Sequence, residues 1–317
     1  MTRRTGTQST SSLSLKFRIF AGGPDFLSGI RLFFEMSRFE RIAILGPGLL
    51  GGSVALAARD AGYQSVLWGR REERVEAARA LGLESTTDLK VAVQNADLVV
   101  LAVPVGAMDS LGELLKSDLK KGAMVTDVGS VKVLPHRMAQ RHHLPFVGSH
   151  PMAGSEQTGI EAARGDLFAG APCVLTNEGE RSDDEVTALA VFWRALGCRV
   201  MTMSASDHDR AVARISHLPH AMAVATASAG LRFPDDGELA AGGFRDTTRV
   251  ASGDPAMWAE IMMENREAVS AALQDAQNEL REMLAHLAES DQKGLERYLA
   301  SVKERKENCH RSDEPTV

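Results

Sequence analysis

One histidine, His150, sits in the stretch VGSHPMAGSEQTG (147–159) among three glycines, two serines, a threonine and a proline. Imidazole titrates near about pH 6.5, so it is the side chain best matched to accepting a proton at neutral pH. The composition around it predicts a loop at the end of an element rather than a helix or strand. Loops in that position are where reactive groups concentrate. Taken alone, the stretch serves equally well as a turn in which His150 is an ordinary polar residue, so its meaning depends on its company.

Three further sets of residues could supply that company. Gly46-Pro-Gly48-Leu49-Leu50-Gly51 follows the apolar run RIAIL (41–45) and precedes SVALAARDAG (53–62), a helical pattern. A GxGxxG set between a strand and a helix, with a second strand at 65–69, is a strong dinucleotide signature. The first glycine makes the tight turn, the second admits a pyrophosphate, the third allows close helix–strand packing, and the helix N-terminus offers free N–H groups. About 20 residues on, where an NAD site places an acid for the ribose, the chain has Arg70 and Arg71 instead. Arginine neutralises a 2′-phosphate, so NADP is expected as cofactor, with NAD the alternative.

The other two sets lie further along. Arg214-Ile-Ser-His217-Leu-Pro-His220 falls in a helical run, with the basic residues three apart on one face and Pro219 expected to kink it. An HxxH pair without a third ligand at a telling spacing argues against a metal site, and no metal is expected. Gly242-Gly243-Phe244-Arg245-Asp246-Thr247-Thr248-Arg249 is expected to be a glycine-rich loop whose arginines can grip a carboxylate.

The elements that must position these residues fall into two textures. From residue 38 to 203, short apolar runs alternate with helical ones. Candidate strands are 41–45, 65–69, 96–104, 123–130, 144–149, 171–176 and 198–203, which predicts a Rossmann-type, doubly wound and mostly parallel sheet. Ligands in such sheets lie beyond the carboxyl ends of the strands, where Val103-Pro104, Asp127–Lys132 and Ser149–Glu156 all fall. From 204 to 310 no β-rich run recurs, and helices are expected at 205–231, 254–288 and 291–307. That is an all-α domain, with Val269, Leu273, Leu280 and Leu284 forming an apolar stripe that needs a partner.

Residues 1–37 are rich in Ser, Thr and Arg and have no acid before Asp25. They read as a disordered leader or as sequence upstream of a start at Met36, and a transit segment to an organelle is the alternative. Residues 311–317 read as a charged tail. With 44% hydrophobic and 25% charged residues and a net charge of −6, the chain has the composition of a soluble globular protein. Nucleic acid is not an expected partner. No run reaches the ~18–20 apolar residues of a membrane span. Three widely spaced cysteines fit a reducing compartment, so the cytoplasm is expected.

Together and in order, GPGLLGGS, TDVGSVK (126–132), GSHPMAGSEQTG (148–159), SHLPH (216–220), GGFRDTTR (242–249) and SGDPAMW (252–258) resemble the prephenate/arogenate dehydrogenase family of tyrosine biosynthesis, over residues 40 to 305. The resemblance implies a Rossmann domain followed by a helical dimerisation domain, and oxidative decarboxylation of prephenate or arogenate with hydride transfer to NAD(P). By resemblance, His150 accepts the proton of the substrate hydroxyl and Ser130 orients it. Arg249 holds a carboxylate. His217 and His220 face the substrate, and Glu156 and Asp246 form an ion network with Arg249. Trp258 closes an apolar wall, and Gly243 lets backbone approach the substrate. Gly46, Gly48, Leu49, Leu50, Gly51, Arg70, Arg71, Val103 and Pro104 would line the cofactor, and the C-terminal helices would make a homodimer. Two alternatives were open on the residues: another Rossmann-plus-helical dehydrogenase of the 3-hydroxyacid kind, and a non-catalytic dinucleotide sensor. No ACT or chorismate mutase domain is expected within these residues.

Overall fold

The computed structural model describes residues 18–19, 38–154, 157–178 and 181–310. The expectations for a disordered leader and a C-terminal tail therefore lie outside the described residues, apart from strand β1 (Arg18–Ile19). The chain divides into two compact units, residues up to Val212 with Ser252–Glu264, and Ala213–Ala251 with Asn265 onward.

The first unit contains a five-stranded, all-parallel sheet, in spatial order β4-β3-β2-β5-β6. Its strands are β2 (Arg41–Leu45), β3 (Gln64–Trp68), β4 (Ser85–Thr86), β5 (Leu98–Leu101) and β6 (Met124–Asp127), and its helices are α1 (Leu49–Asp60), α2 (Glu72–Ala80), α3 (Leu89–Val93), α4 (Val105–Asp118) and α5 (Val133–His142). Both faces of this sheet are covered, so its strands read as unbroken apolar runs while alternate residues feed different cores. Ile42, Ile44, Leu98 and Val100 point into one core with Val54 and Ala58 of α1. Ala43, Leu45, Val99 and Leu101 point into the other with Met108, Leu111 and Met138 of α4 and α5. Strand order reverses at β2, so the loop after β2 lies at the topological switch point, where ligands bind in such sheets.

The expectation of one sheet needs correction. After α5 the chain returns beside β6 through a single parallel bridge, Val125 to Phe146, and then enters a second sheet, β1-β9-β8-β7. Here β7 (Gly148–Pro151) runs antiparallel to β8 (Pro172–Thr176), and β8 runs parallel to β9 (Arg199–Met203). Hence the strand reaches beyond the expected 144–149: His150 and Pro151, expected as loop, belong to β7 (Gly148–Pro151). Four residues of low β-propensity are held there by pairing along β8, which is tertiary context overriding local preference. Helix α6 (Asp183–Ala195) opens on a capping box between Ser182 and Glu185 and buries Phe192 and Trp193 against this sheet. Helix α7 (Ala205–Val212) completes the run. It belongs with the first unit rather than with the helical domain, because His208 and Asp209 are buried there.

Among the described residues the second unit is all helical. The single kinked helix expected over 205–231 is instead interrupted before Pro219 by a π-helical turn, Ala213–His217, after which α8 spans Leu218–Gly230 with proline in its first turn. A π turn advances more than four residues per revolution, so residues three apart no longer align: Arg214 is exposed while His217 and His220 are buried. The expected glycine-rich loop is also corrected, since Gly242–Thr248 forms helix α9. The helix expected over 254–288 is two: α10 (Pro255–Glu264), which groups with the first unit, and α11 (Arg266–Ala288). Helix α11 and α12 (Gln292–His310) pack together as a hairpin, and α11 also packs on the π turn and α8. On α11, Val269 is buried, whereas Leu273, Leu280 and Leu284 are exposed, the last at 62%.

Candidate active site

The carboxyl ends of the parallel strands form one continuous rim. Gly46 leaves β2 with φ +125° and donates its N–H to Trp68 O of β3 at 2.9 Å. A Cβ on Gly46 would sit 2.2 Å from Ala102 O, and one on Gly51 would sit 1.9 Å from Gly46 O. Only glycine fits either place. Helix α1 therefore starts hard against the strand ends. Its N-cap is Gly48, which offers no side-chain cap, and its first turn carries no acid. The N–H groups of Leu49, Leu50 and Gly51 keep the positive end of the helix dipole for an anion. Val103 and Pro104 continue from β5 into α4, directly beside the glycine loop. Arg70 and Arg71, on the turn after β3, are exposed and enter no ion pair among the described residues, unlike Arg74 and Arg79 nearby. These residues fit a bound dinucleotide.

The next part of the rim is built by Asp127, the last residue of β6. Its Oδ2 accepts from the Gly129 N–H at 3.0 Å, fixing the turn that presents Ser130, and its Oδ1 accepts from the Ser149 N–H at 3.0 Å, fixing β7 beside it. The Lys132 ammonium, fully buried, closes on the same carboxylate. Burial pushes the Lys132 pKa down, and the Asp127 carboxylate opposes that. Ser149 is held again through its hydroxyl, which bonds Thr126 Oγ1 at 2.6 Å and accepts from Trp193 Nε1 at 2.9 Å.

His150 follows in β7, paired with Val174 of β8 and 9% exposed. Its Nδ1 lies 2.8 Å from His208 Nε2 of α7, and His208 Nδ1 lies 2.8 Å from Asp209 Oδ1. Asp209 in turn accepts backbone N–H groups from the start of α5, Lys132 at 2.7 Å on Oδ1 and Val133 at 2.9 Å on Oδ2. A buried chain thus runs from His150 through His208 to Asp209 and the end of α5. Neither His208 nor Asp209 was singled out in the sequence. His208 lies 58 positions from His150, and Asp209 lies 77 and 76 from Lys132 and Val133; a His-Asp pair on a polar helix carries no local signal. Asp127 and Lys132 stand in the quoted TDVGSVK motif, yet nothing in the motif marks them as a buried ion pair.

Trp258, on α10 of the first unit, is partly buried. Glu260 of the same helix accepts the Gly106 N–H at 3.4 Å. Glu264, one turn on, has its Oε1 buried without a hydrogen-bond partner among the described residues, and burial together with the Glu260 charge lifts its pKa to about 7.

In the second unit, His217 is buried, and its Nδ1 accepts from the Asn265 amide at 3.3 Å. His220 is buried nearby on α8, and burial lowers its pKa. Gly243 and Asp246 lie on α9, and Arg249 follows at its C-terminal end. All three are exposed, and among the described residues no ion pair joins Asp246 to Arg249. Glu156 lies outside the described residues. Among the described residues no group of three His, Cys, Asp or Glu is placed to hold a metal ion, and no helix is long and apolar enough to cross a membrane.

Two family models match the chain: the prephenate dehydrogenase nucleotide-binding domain over residues 54–202 and the prephenate dehydrogenase dimerization domain over 204–301. A cyclohexadienyl dehydrogenase of Zymomonas mobilis is 35% identical over 268 residues, which are 81% of this chain and 91% of that protein. A prephenate dehydrogenase of Bacillus subtilis is 33% identical over 284 residues, 84% of this chain and 75% of that protein. Among solved structures, the prephenate dehydrogenase of Aquifex aeolicus in complex with hydroxyphenyl propionate and NAD+ aligns with a TM-score of 0.79 at 30% identity, covering 85% of this chain and 98% of that one. Arogenate dehydrogenase of Synechocystis aligns with a TM-score of 0.77 at 31% identity, covering 84% and 99%.

Proposed function

The chain belongs to the prephenate dehydrogenase family, and on that premise we propose that it oxidatively decarboxylates prephenate, arogenate or both, passing a hydride to NAD(P)+. The observation that carries this is the rim. Asp127 binds the Ser130 turn and the His150 strand to one carboxylate. Gly129 packs so closely on Val105 that a Cβ would lie 2.8 Å from its Cγ2, which puts that turn beside the glycine loop. A proton acceptor on the second sheet is therefore tied, through Asp127, to the rim of the parallel sheet that carries the dinucleotide cradle.

Bound NAD(P)+ supplies the hydride acceptor. In this reading the imidazole of His150 takes the proton of the substrate's ring hydroxyl as hydride leaves the same carbon. The ring carboxylate then departs as carbon dioxide and the ring aromatises. Ser130 orients the hydroxyl and the imidazole. Arg249, with no ion-pair partner among the described residues, holds a substrate carboxylate as a charge-assisted donor. His217, His220, Gly243, Asp246, Glu156 and Trp258 are assigned to substrate contacts.

Three finer points belong to the same reading. The guanidinium groups of Arg70 and Arg71, in no ion pair among the described residues, favour NADP, because a 2′-phosphate gains from them what a 2′-hydroxyl does not. The exposed leucines of α11, in the part of the chain matched by the dimerization-domain model, support a homodimer through the C-terminal helices. The cysteines Cys173, Cys198 and Cys309, none of them in a disulfide, suit the cytoplasm.

One assay matrix tests the function: prephenate and arogenate, each with NAD+ and with NADP+, followed by formation of reduced nicotinamide. Turnover in at least one combination, abolished to within about a thousandth by His150→Asn, is the expected result. No turnover in any of the four, with cofactor binding intact, would overturn it.

A further inference from the structure

Imidazole accepts a proton only at a ring nitrogen that keeps its lone pair, and the other nitrogen's hydrogen bond decides which one that is. Resting on the role given to His150 above, we propose that His208 and Asp209 are positioning residues that lock His150 as the Nδ1–H tautomer and keep Nε2 as the proton acceptor.

The assignment follows link by link from Asp209. Lys132 N–H and Val133 N–H can only donate, so the Asp209 carboxylate accepts on both oxygens, at the positive end of α5. His208 Nδ1, 2.8 Å from Oδ1, must then carry its proton, because a bare nitrogen there would face an oxygen lone pair. His208 is fully buried, and that burial lowers its pKa, so it holds one proton and its Nε2 is bare. His150 Nδ1, 2.8 Å from that nitrogen, must donate. The remaining lone pair of His150 is on Nε2.

The chain does more than choose a tautomer. When Nε2 takes the hydroxyl proton, His150 becomes an imidazolium whose Nδ1–H already points at an acceptor. That acceptor is itself backed by a carboxylate, the logic by which an orienting acid supports a catalytic histidine. The charged and titratable groups around His208 are Asp209 on its own helix, His150 on β7, Lys132 at the start of α5 and Asp127 on β6. Lys132 and Asp127 are paired with each other, so Asp209 is the carboxylate available to the imidazolium.

Two measurements on the full chain test this. In the wild-type protein labelled with ¹⁵N-histidine, with the His150 signals identified by their loss in His150→Asn, Nε2 is expected to show the shift of a bare nitrogen and Nδ1 that of a protonated one. The opposite pattern overturns the proposal, and the result does not depend on turnover, so it stands apart from failure of the proposed activity. In the assay, His208→Phe removes the acceptor while keeping a ring. It is expected to lower kcat by roughly 10²–10³-fold with substrate KM and NAD(P)+ affinity within about threefold, and to move the acid limb of the kcat profile to lower pH. His208→Gln, which keeps an acceptor in place of Nε2, is expected to recover at least about tenfold. Equal kcat in His208→Phe and wild type, or no recovery with Gln in a variant that still binds cofactor, overturns the proposal.

Discussion

The Ser149 N–H donates to Asp127 Oδ1 at 3.0 Å, so the residue just before His150 hangs from the carboxylate that ends β6. The same carboxylate neutralises Lys132, which is fully buried. One acid therefore joins the two sheets, positions the rim and compensates a buried cation.

Replacing it tests that combination. Asp127→Asn leaves the buried lysine without its countercharge, and breaking one side of such a pair costs about 3–5 kcal/mol. Urea unfolding of the single variant should show a loss of that size. Asp127→Asn with Lys132→Met should recover much of it, since the uncompensated ammonium is then gone. A loss under about 1 kcal/mol in the single variant would mean that the pair is not a structural strut.

Cofactor choice rests on the turn after β3. Arg70→Ala and Arg71→Ala together should raise the KM for NADP+ by about 10–100-fold, the scale of one or two charge-assisted contacts. The KM for NAD+ should stay within about threefold. Equal losses for both cofactors would assign these arginines to the surface rather than to a 2′-phosphate.

Arg249 makes a separate, equally plain case. Its removal takes a carboxylate's partner while leaving His150 untouched, so Arg249→Ala should raise the substrate KM about 10–100-fold with kcat within about threefold. An unchanged KM for both prephenate and arogenate ends the carboxylate role.

What the sequence made legible was whatever depends on neighbours in the chain. The glycine loop could be read because Gly46, Gly48 and Gly51 stand between a strand and a helix, and the close approaches at Gly46 and Gly51 bear out their steric roles. The continuation of the strand through His150 and Pro151 was hidden, since its register is imposed by β8 some 25 residues later. The π turn before Pro219 was hidden for a related reason: proline announces a missing hydrogen bond, but not whether the helix kinks or widens to absorb it. His208 and Asp209 were the most deeply hidden, because their significance lies entirely in partners from β7 and the start of α5.

Glu264 gives the chain a pH-dependent stability whose sign can be worked out. Its carboxyl has an ordinary value of 4.5 and is lifted to about 7 in the folded protein by burial and by Glu260. Between those values the folded state holds a proton that the unfolded state has released. Stability from this group therefore falls as pH rises from about 4.5 to about 7 and is at its lowest above that. A shift of this size on a half-buried side chain, discounted for solvent screening, corresponds to about 1 kcal/mol. Glu264→Gln removes the charge, so the variant should match wild type near pH 4.5 and exceed it above pH 7, by about 2 °C in Tm. The measurement is a series of thermal melts from pH 4.5 to 8.5. A variant that gains nothing at high pH would show that the folded protein carries Glu264 ionised at no cost.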